Sequence, residues 1–592
     1  MPSTRATIIL AFAFATRVLC DYLGPTYPAP TDLATDGSHV SAAWRNLSST
    51  LNGYIADPSA NLTSPAGLKN VTFSVGMFSI HDPSAAALQF HHASAEIANS
   101  SDGLRKVDGD SIYRVASITK LITTFAGMLN LKPSDWDRPI TEFVPTLAAY
   151  AAAHPAKDDR TGTVDWNKVT LAALASQIAG TPRDVSPFDP SDYLLVDLTG
   201  ALVASFGLPL PDPSDPVAVP PCLISLLSGN MSCPSDEYAI GAEARPPLFL
   251  PWTSPAYTDY GFMLLGAAIS NITGKSIHDV YSQSIFDPLG MDSTDSNVPD
   301  PSQYGRYVIP GNASVAGLTP EGAPQVTIPS GGIFSTTNDL ARLGTAILNS
   351  TLLDSDQTRQ WMKPVSHTAM FEYSVGKPWE IYRYTHPRTG LVTDLYTKLG
   401  DSGYYSGYLV LIPDYDAGFS IIMASSLRQR TALVSLLADA VTEAVLPGLS
   451  SQAEAEADQS FVGTYTSQDD ALNTTLTLAI DPTGKPGLVM TQFTSNGTDV
   501  LQSEALGAGP IRLLHSITDR PNGRVAFRAS HTPAPSGGLF SRGLNTNSDW
   551  LGGDSPTYAG IGLGLFVFDV DSNGNATAVS PEAWRVKLVK GS

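Results

Sequence analysis

The chain has 592 residues, 43% of them hydrophobic, and a formal net charge of -21. That length supports one large core and argues for a second. The acidic balance argues against a nucleic-acid partner and against an anionic membrane surface, and excludes little else.

The amino terminus has the form of a secretory signal over residues 1–20. Arg5 lies in a basic leader, and residues 6–15 are an apolar run too short to span a bilayer. Cleavage fits after Ala15 or after Cys20. No later segment reads as a membrane helix, because the best candidate, residues 407–425, is broken by Pro413, Asp414 and Asp416. Cys222 and Cys233 bracket a short loop and are expected to pair in an oxidising compartment. Asn46, Asn61, Asn70, Asn99, Asn230, Asn271, Asn312, Asn349, Asn473, Asn496 and Asn575 each open an N-x-S/T sequon. Signal, cysteine pair and sequons point to a secreted eukaryotic glycoprotein.

Residues 21–68 are rich in Pro, Asn and Ser and read as a surface wrap. Strands are expected over 73–80 and 112–116, leading into a helix in which Leu121, Ile122, Phe125, Met128 and Leu129 share one face. Residues 120–185 read as mostly helical, with an apolar-periodic segment at 169–179. Residues 187–251 are proline- and loop-rich and read as an insertion over a site. Helices follow at 260–272 and 337–348, then consecutive antiparallel strands at 395–400, 407–412 and 418–425, and a closing helix at 431–445. Helices with a late run of antiparallel strands argue an α+β fold. A boundary falls at 447–458. Beyond it Leu472, Thr474, Leu476, Leu478 and Ile480 set a period of two, so residues 455–592 read as a separate, mostly β domain after a main domain at 21–450.

Chemistry concentrates in three places. Ser117-Ile118-Thr119-Lys120 sits where a strand turns into a helix, and residues i and i+3 share a helix face, so the lysine amine can reach the serine hydroxyl. A serine near a base becomes a competent nucleophile. A second Ser-x-x-Lys, Ser374 to Lys377, is interrupted by Gly376 and followed by Pro378, which argues against a helix there. The other two segments are Tyr257-Thr258-Asp259 and Lys398-Leu399-Gly400-Asp401. Taken singly, Tyr257 reads equally as a buried structural tyrosine and Lys398 as a solvent-facing strand residue.

The order Ser-x-x-Lys, Tyr-x-(Asn/Asp), Lys-x-Gly resembles the serine β-lactamase-like superfamily: class C β-lactamases, penicillin-binding proteins and related esterases. The chain is most similar to the secreted β-lactamase-like proteins of filamentous fungi, which also carry a β-rich carboxy-terminal extension. The resemblance extends over residues 71–445, taking in 169–180, Ile285 to Met291 and the Gly331-Gly332 segment. It implies a β-lactamase/transpeptidase-like fold, an antiparallel sheet flanked by helices. It further implies that Ser117 forms an acyl-enzyme, Lys120 takes or shares its proton, Tyr257 shuttles protons, and Lys398 favours the phenolate by its charge. The oxyanion donors would be the N–H groups of Ser117 and Asp401, with Asp259 and Gly400 against the substrate. No metal or cofactor is implied, and the partner is a small-molecule acyl substrate.

Two positions depart from that pattern. Asp259 stands where penicillin-recognising members usually carry Asn; a carboxylate beside Lys120 favours the charged ammonium and shifts base duty toward Tyr257. Leu399 replaces a small hydroxyl residue and deletes a donor for a substrate carboxylate. Both weaken a β-lactamase assignment more than a general esterase one. No G-x-S-x-G elbow and no zinc spacing occur, and the calcium-loop hint at 569–574 has Ser580 at its twelfth position, so a plain turn is expected. The expected activity is hydrolysis of an ester, lactone or amide. An acyltransferase or lactonase using the same residues, and a binding protein on a degenerate scaffold, are the alternatives.

Overall fold

The computed structural model describes residues 25–57, 64–183, 204–209, 242–314, 316–319, 325–507, 509–531 and 556–591. The expected signal, Cys222, Cys233, the sequons at Asn61 and Asn230 and most of the 187–251 insertion lie outside them. Two compact units divide the chain: residues 30–384 with 394–452, and residues 453–592 with 1–29 and 385–393.

The larger unit is built on an eight-stranded sheet. In chain order its strands are β1 (Thr72–Ser79), β2 (Gln89–His92), β3 (Ser366–His367), β4 (Tyr373–Val375), β5 (Glu380–Thr385), β6 (Val392–Ser402), β7 (Tyr405–Ile412) and β8 (Ala417–Ala424). Their spatial order is β2-β1-β8-β7-β6-β5-β4-β3. Thr72 opposes Ala424, Ala417 opposes Ile412 and Lys398 opposes Leu409, all antiparallel. Side chains alternate between the two faces of a strand. Accordingly Phe419, Ile421 and Met423 enter one apolar cluster while Ile422 and Ala424 enter another. Both faces are covered, so β1, β7 and β8 are buried along their whole length.

Helices α1 (His39–Ala56) and α5 (Arg430–Phe461) contribute Val40, Trp44, Leu47, Leu51, Leu433, Leu437 and Val441 to the first cluster. Helices α2 (Thr119–Asn130), α3 (Tyr260–Thr273) and α4 (Thr337–Leu348) feed the second through Leu121, Phe125, Phe262, Leu265, Leu340 and Leu343. Helix α1 corrects the reading of residues 21–68 as a surface wrap. Ser38 caps it by accepting the Val40 N–H, and positions 40, 44, 47 and 51 form a buried stripe inside an Asn/Ser-rich stretch.

Helix α5 also differs from expectation, running through Pro447. Leu446, Leu449, Ala453 and Ala457 lie at helical spacing and are buried, and that packing outweighs the backbone bond a proline cannot make. By length and composition α5 is apolar enough to cross a membrane, which corrects the expectation that no later segment is; its Leu433, Val434, Leu437 and Val441 are nevertheless fully buried core residues. Of residues 120–185, the described 120–183 are less helical than expected, with α2, a helix at Pro145–Ala153 and the short Leu171–Ala175 joined by turns.

The second unit is strand-rich and closes on itself. Thr475–Ile480 pairs with Gly463–Ser467 on one side and with Leu488–Ser495 on the other, completing a ring through the strands between. Phe461, Phe527 and Phe568 stack edge to face inside it, with centroids 5.0 and 5.3 Å from Phe527. The 569–574 segment is the turn between Leu565–Val570 and Ala576–Pro581, where the Asp571 carboxylate accepts the N–H groups of Asn573 and Asn575.

Candidate active site

Ser117 stands on a forced turn. The strand Tyr113–Arg114 ends at Val115, Ala116 takes a left-handed φ of 48°, and a 3-10 turn over Ala116–Ile118 opens into α2. A non-glycine residue at that φ is held against its preference by its surroundings. Here Val115 donates its N–H to the Ile333 carbonyl at 2.9 Å. Helix α2 buries Leu121, Ile122 and Phe125, which leaves Lys120 on the face that meets the serine, with its side chain fully buried.

The Lys120 ammonium has three donors and three acceptors. It donates to Ser117 Oγ at 2.9 Å, to the Ser330 carbonyl at 2.7 Å and to Asp259 Oδ1 in an ion pair. Tyr257 donates its hydroxyl to the same Ser117 Oγ at 2.7 Å. Its backbone is fixed on both sides by Gln177: the Ala256 N–H donates to the Gln177 carbonyl and the Thr258 N–H to its side-chain oxygen, each at 2.8 Å. Asp259 precedes α3 and donates its own N–H to the Arg183 carbonyl at 2.8 Å.

Three cations surround the Tyr257 ring, with Lys120 Nζ at 4.9 Å, the Arg183 guanidinium at 5.1 Å and Lys398 Nζ at 5.3 Å from its centroid. Burial nevertheless pushes the phenol well above its ordinary range. Lys398 pulls it down, Asp259 pushes it up, and the Ser117 bond lowers it only in part. The expectation that Lys398 favours the phenolate is right in direction, and burial outweighs it. Tyr257 is a phenol at rest.

Lys398 lies on β6 with its side chain 1% exposed, ion-paired to Glu380 and donating to the Leu399 carbonyl at 2.7 Å. The Leu399 N–H donates to the other Glu380 oxygen at 2.7 Å. Glu380 opens β5, so it pairs β6 from the side away from β7. Backbone N–H groups two residues apart emerge from the same edge of a strand. The Asp401 N–H therefore leaves β6 on the edge that Leu399 shows to Glu380, beyond the start of β5. The Asp401 carboxylate turns elsewhere, to Arg430 at 2.9 Å and Thr431 at 2.8 Å. Gly400 lies between, and a Cβ there would collide with the Val115 carbonyl.

The structure thus brings Ser117, Lys120, Tyr257, Asp259, Lys398 and Gly400 into one neighbourhood. Tyr405, which opens β7, is buried and donates its hydroxyl to the Val308 carbonyl at 2.7 Å. Sequence reasoning missed Glu380, Gln177 and the Ser330 carbonyl. Glu380 reaches the site by strand pairing and Ser330 by a backbone atom, neither of which leaves a motif. Gln177 lay within the segment matched to the family, with no role attached.

A helix-flanked antiparallel sheet with this Ser-Lys-Tyr cluster beside β6 is the β-lactamase/transpeptidase-like fold. A family model described as Beta-lactamase matches residues 83–445, and the chain belongs to that family. A second model, described as Beta-lactamase-like-like, C-terminal domain, matches residues 453–592. The chain is 29% identical over 497 residues to a Beta-lactamase-like protein of Arthroderma benhamiae, covering 82% of this chain and 77% of that one. It is 26% identical over 533 residues to a probable hydrolase of Phoma sp., covering 85% and 82%. Among solved structures, D-amino acid amidase from Ochrobactrum anthropi SV3 aligns with a TM-score of 0.46 and 17% identity over 68% of this chain and 98% of that one.

Proposed function

We propose that the protein is a secreted serine hydrolase that cleaves an ester, lactone or amide through an acyl-Ser117 intermediate. The observation that carries this reading is the pair of hydrogen bonds converging on Ser117 Oγ, from Lys120 at 2.9 Å and Tyr257 at 2.7 Å. The relative named as a probable hydrolase supports it. Secretion rests on the amino-terminal signal pattern and on sequons such as Asn46, Asn271 and Asn349 lying exposed.

Both partners of Ser117 are proton donors at rest, so one must become an acceptor before the serine can attack. Asp259 makes Lys120 that partner: a lysine proton passes to Asp259, and the amine takes the Ser117 proton. Ser117 Oγ then bonds to the carbonyl carbon, and the oxyanion is held by the Ser117 and Asp401 N–H groups. As the bond to the leaving group breaks, its electron pair takes the Tyr257 proton. In the second half the Tyr257 phenolate takes a proton from water, and the hydroxide attacks the acyl carbon. Ser117 leaves and recovers its proton through Lys120 from Asp259. The protein ends as it began, with acid and alcohol or amine released. This reading differs from the expectation that Asp259 shifts base duty toward Tyr257; what supports it is the Tyr257 phenol, which burial keeps protonated and donating to Ser117.

The test is intact mass after incubation with an alkyl fluorophosphonate. A single adduct on wild type that is lost in Ser117→Ala is expected. Folded wild type without an adduct, or an adduct kept by the variant, would sink the acyl-serine reading.

A further inference from the structure

Glu380 has no counterpart among the motifs that led to the site, yet it makes two contacts there. One oxygen is ion-paired with the Lys398 ammonium and the other accepts the Leu399 N–H at 2.7 Å. We infer that Glu380 is a specificity-determining residue that closes Lys398 to anions, so that the site takes uncharged acyl compounds and turns away those bearing a carboxylate beside the scissile bond. This inference rests on the hydrolase reading above and names its substrate class.

The charge inventory supports it. Each lysine around Ser117 has its own carboxylate, Asp259 for Lys120 and Glu380 for Lys398. The three donors of Lys120 are all engaged, and Lys398 divides its own between Glu380 and the Leu399 carbonyl. Leu399 offers no hydroxyl that could take over recognition of a carboxylate. The Glu380 side chain is 26% exposed whereas that of Lys398 is 1% exposed, so a ligand at this edge meets the anion before the cation. The edge in question also carries the Asp401 N–H. A ligand carboxylate placed there would stand against a fixed like charge, which is how a site rejects a competitor. Arg183 is the remaining cation near the Tyr257 ring, and it has other interactions of its own.

The experiment compares 3-carbamoylphenyl butyrate with 3-carboxyphenyl butyrate, which share an acyl group and differ at the leaving group by one charge. The kcat/KM ratio, neutral over anionic, is measured within each protein, so any loss of active molecules cancels. Wild type is expected to favour the neutral ester by about tenfold or more, and Glu380→Gln to lower that ratio by about tenfold. In Glu380→Gln/Lys398→Met the anion should lose what the single variant gained, because the cation that received it is gone. Glu380→Ser, with the same sign, serves should the Gln variant not fold. An active wild type with a ratio near one would overturn the inference and point to Arg183 as an anion receptor. A ratio unmoved by loss of the Glu380 charge would overturn it too. Wild type inactive on both esters and without a Ser117 adduct would overturn the hydrolase reading itself, and this inference with it.

Discussion

Lys120 is ion-paired to Asp259 while it donates to Ser117 Oγ, so in the proposed mechanism the group that accepts the serine proton begins beside a carboxylate that can take one from it. An amide at position 259 could accept a hydrogen bond but could not hold the proton. Asp259→Asn is therefore expected to keep the fold and to lower kcat/KM for aryl esters by about 10²-fold, the usual scale for losing a general-base element. Steady-state kinetics on 3-carbamoylphenyl butyrate checks this. Unchanged or improved turnover would return base duty to Tyr257.

Gly400 answers a different constraint. A Cβ there would meet the Val115 carbonyl oxygen and lie 3.2 Å from the Ile118 N, the backbone on either side of the Ser117 turn. Backbone cannot rotate aside as a flexible side chain can, so β6 or the turn would have to move. Gly400→Ala is expected to destabilise the protein by about 1–3 kcal/mol. A shift of about 1 Å in a reacting group costs on the order of 10²-fold, so labelling of Ser117 by the fluorophosphonate should slow on that scale. Labelling at the wild-type rate would show that the edge of β6 carrying Asp401 tolerates displacement.

Much of the site was legible because its chemistry is local in sequence. Ser117 and Lys120 are one helical turn apart, and Tyr257 and Asp259 immediately precede α3. What was hidden depends on pairing or packing over long separations. Glu380 meets Lys398 because β5 and β6 are neighbours, and the ring of the second unit closes because Thr475–Ile480 finds two partners. Helix α1 was obscured by its Asn and Ser residues although Val40, Trp44, Leu47 and Leu51 carried the period. Helix α5 was cut short at a proline whose neighbours pack well enough to override it.

In the strand-rich unit the Arg512 guanidinium is buried and ion-paired to Asp481. Burial alone would raise the Asp481 carboxyl, but the Thr483 hydroxyl, Arg512 and the Thr483 N–H outweigh it and bring the group down to about 2. A folded value below the ordinary carboxylate value of about 3.9 contributes stability above that pH, lost as pH falls toward 2. The contribution is about 2 kcal/mol by that linkage. Asp481→Asn should unfold at lower urea at pH 7, and its stability should fall less than that of wild type between pH 5 and pH 2.5. Parallel pH profiles for the two proteins would mean that the pair contributes nothing to acid sensitivity.

Tyr257 supplies the sharpest pH test. Its phenol is held above the ordinary tyrosine value of about 10, burial being the largest cause, so it stays protonated through neutral and moderately alkaline pH. If that proton goes to the leaving group, kcat/KM should show no alkaline fall from Tyr257 between pH 7 and 10. Tyr257→Phe keeps the ring under its three cations and removes only the hydroxyl. The variant should lose about 10²–10⁴-fold on alkyl esters or amides, whose leaving groups need a proton. On p-nitrophenyl esters, whose leaving group departs as an anion, the loss should be much smaller. Equal losses on both substrate classes would place Tyr257 in activating Ser117 and leave leaving-group protonation to Lys120.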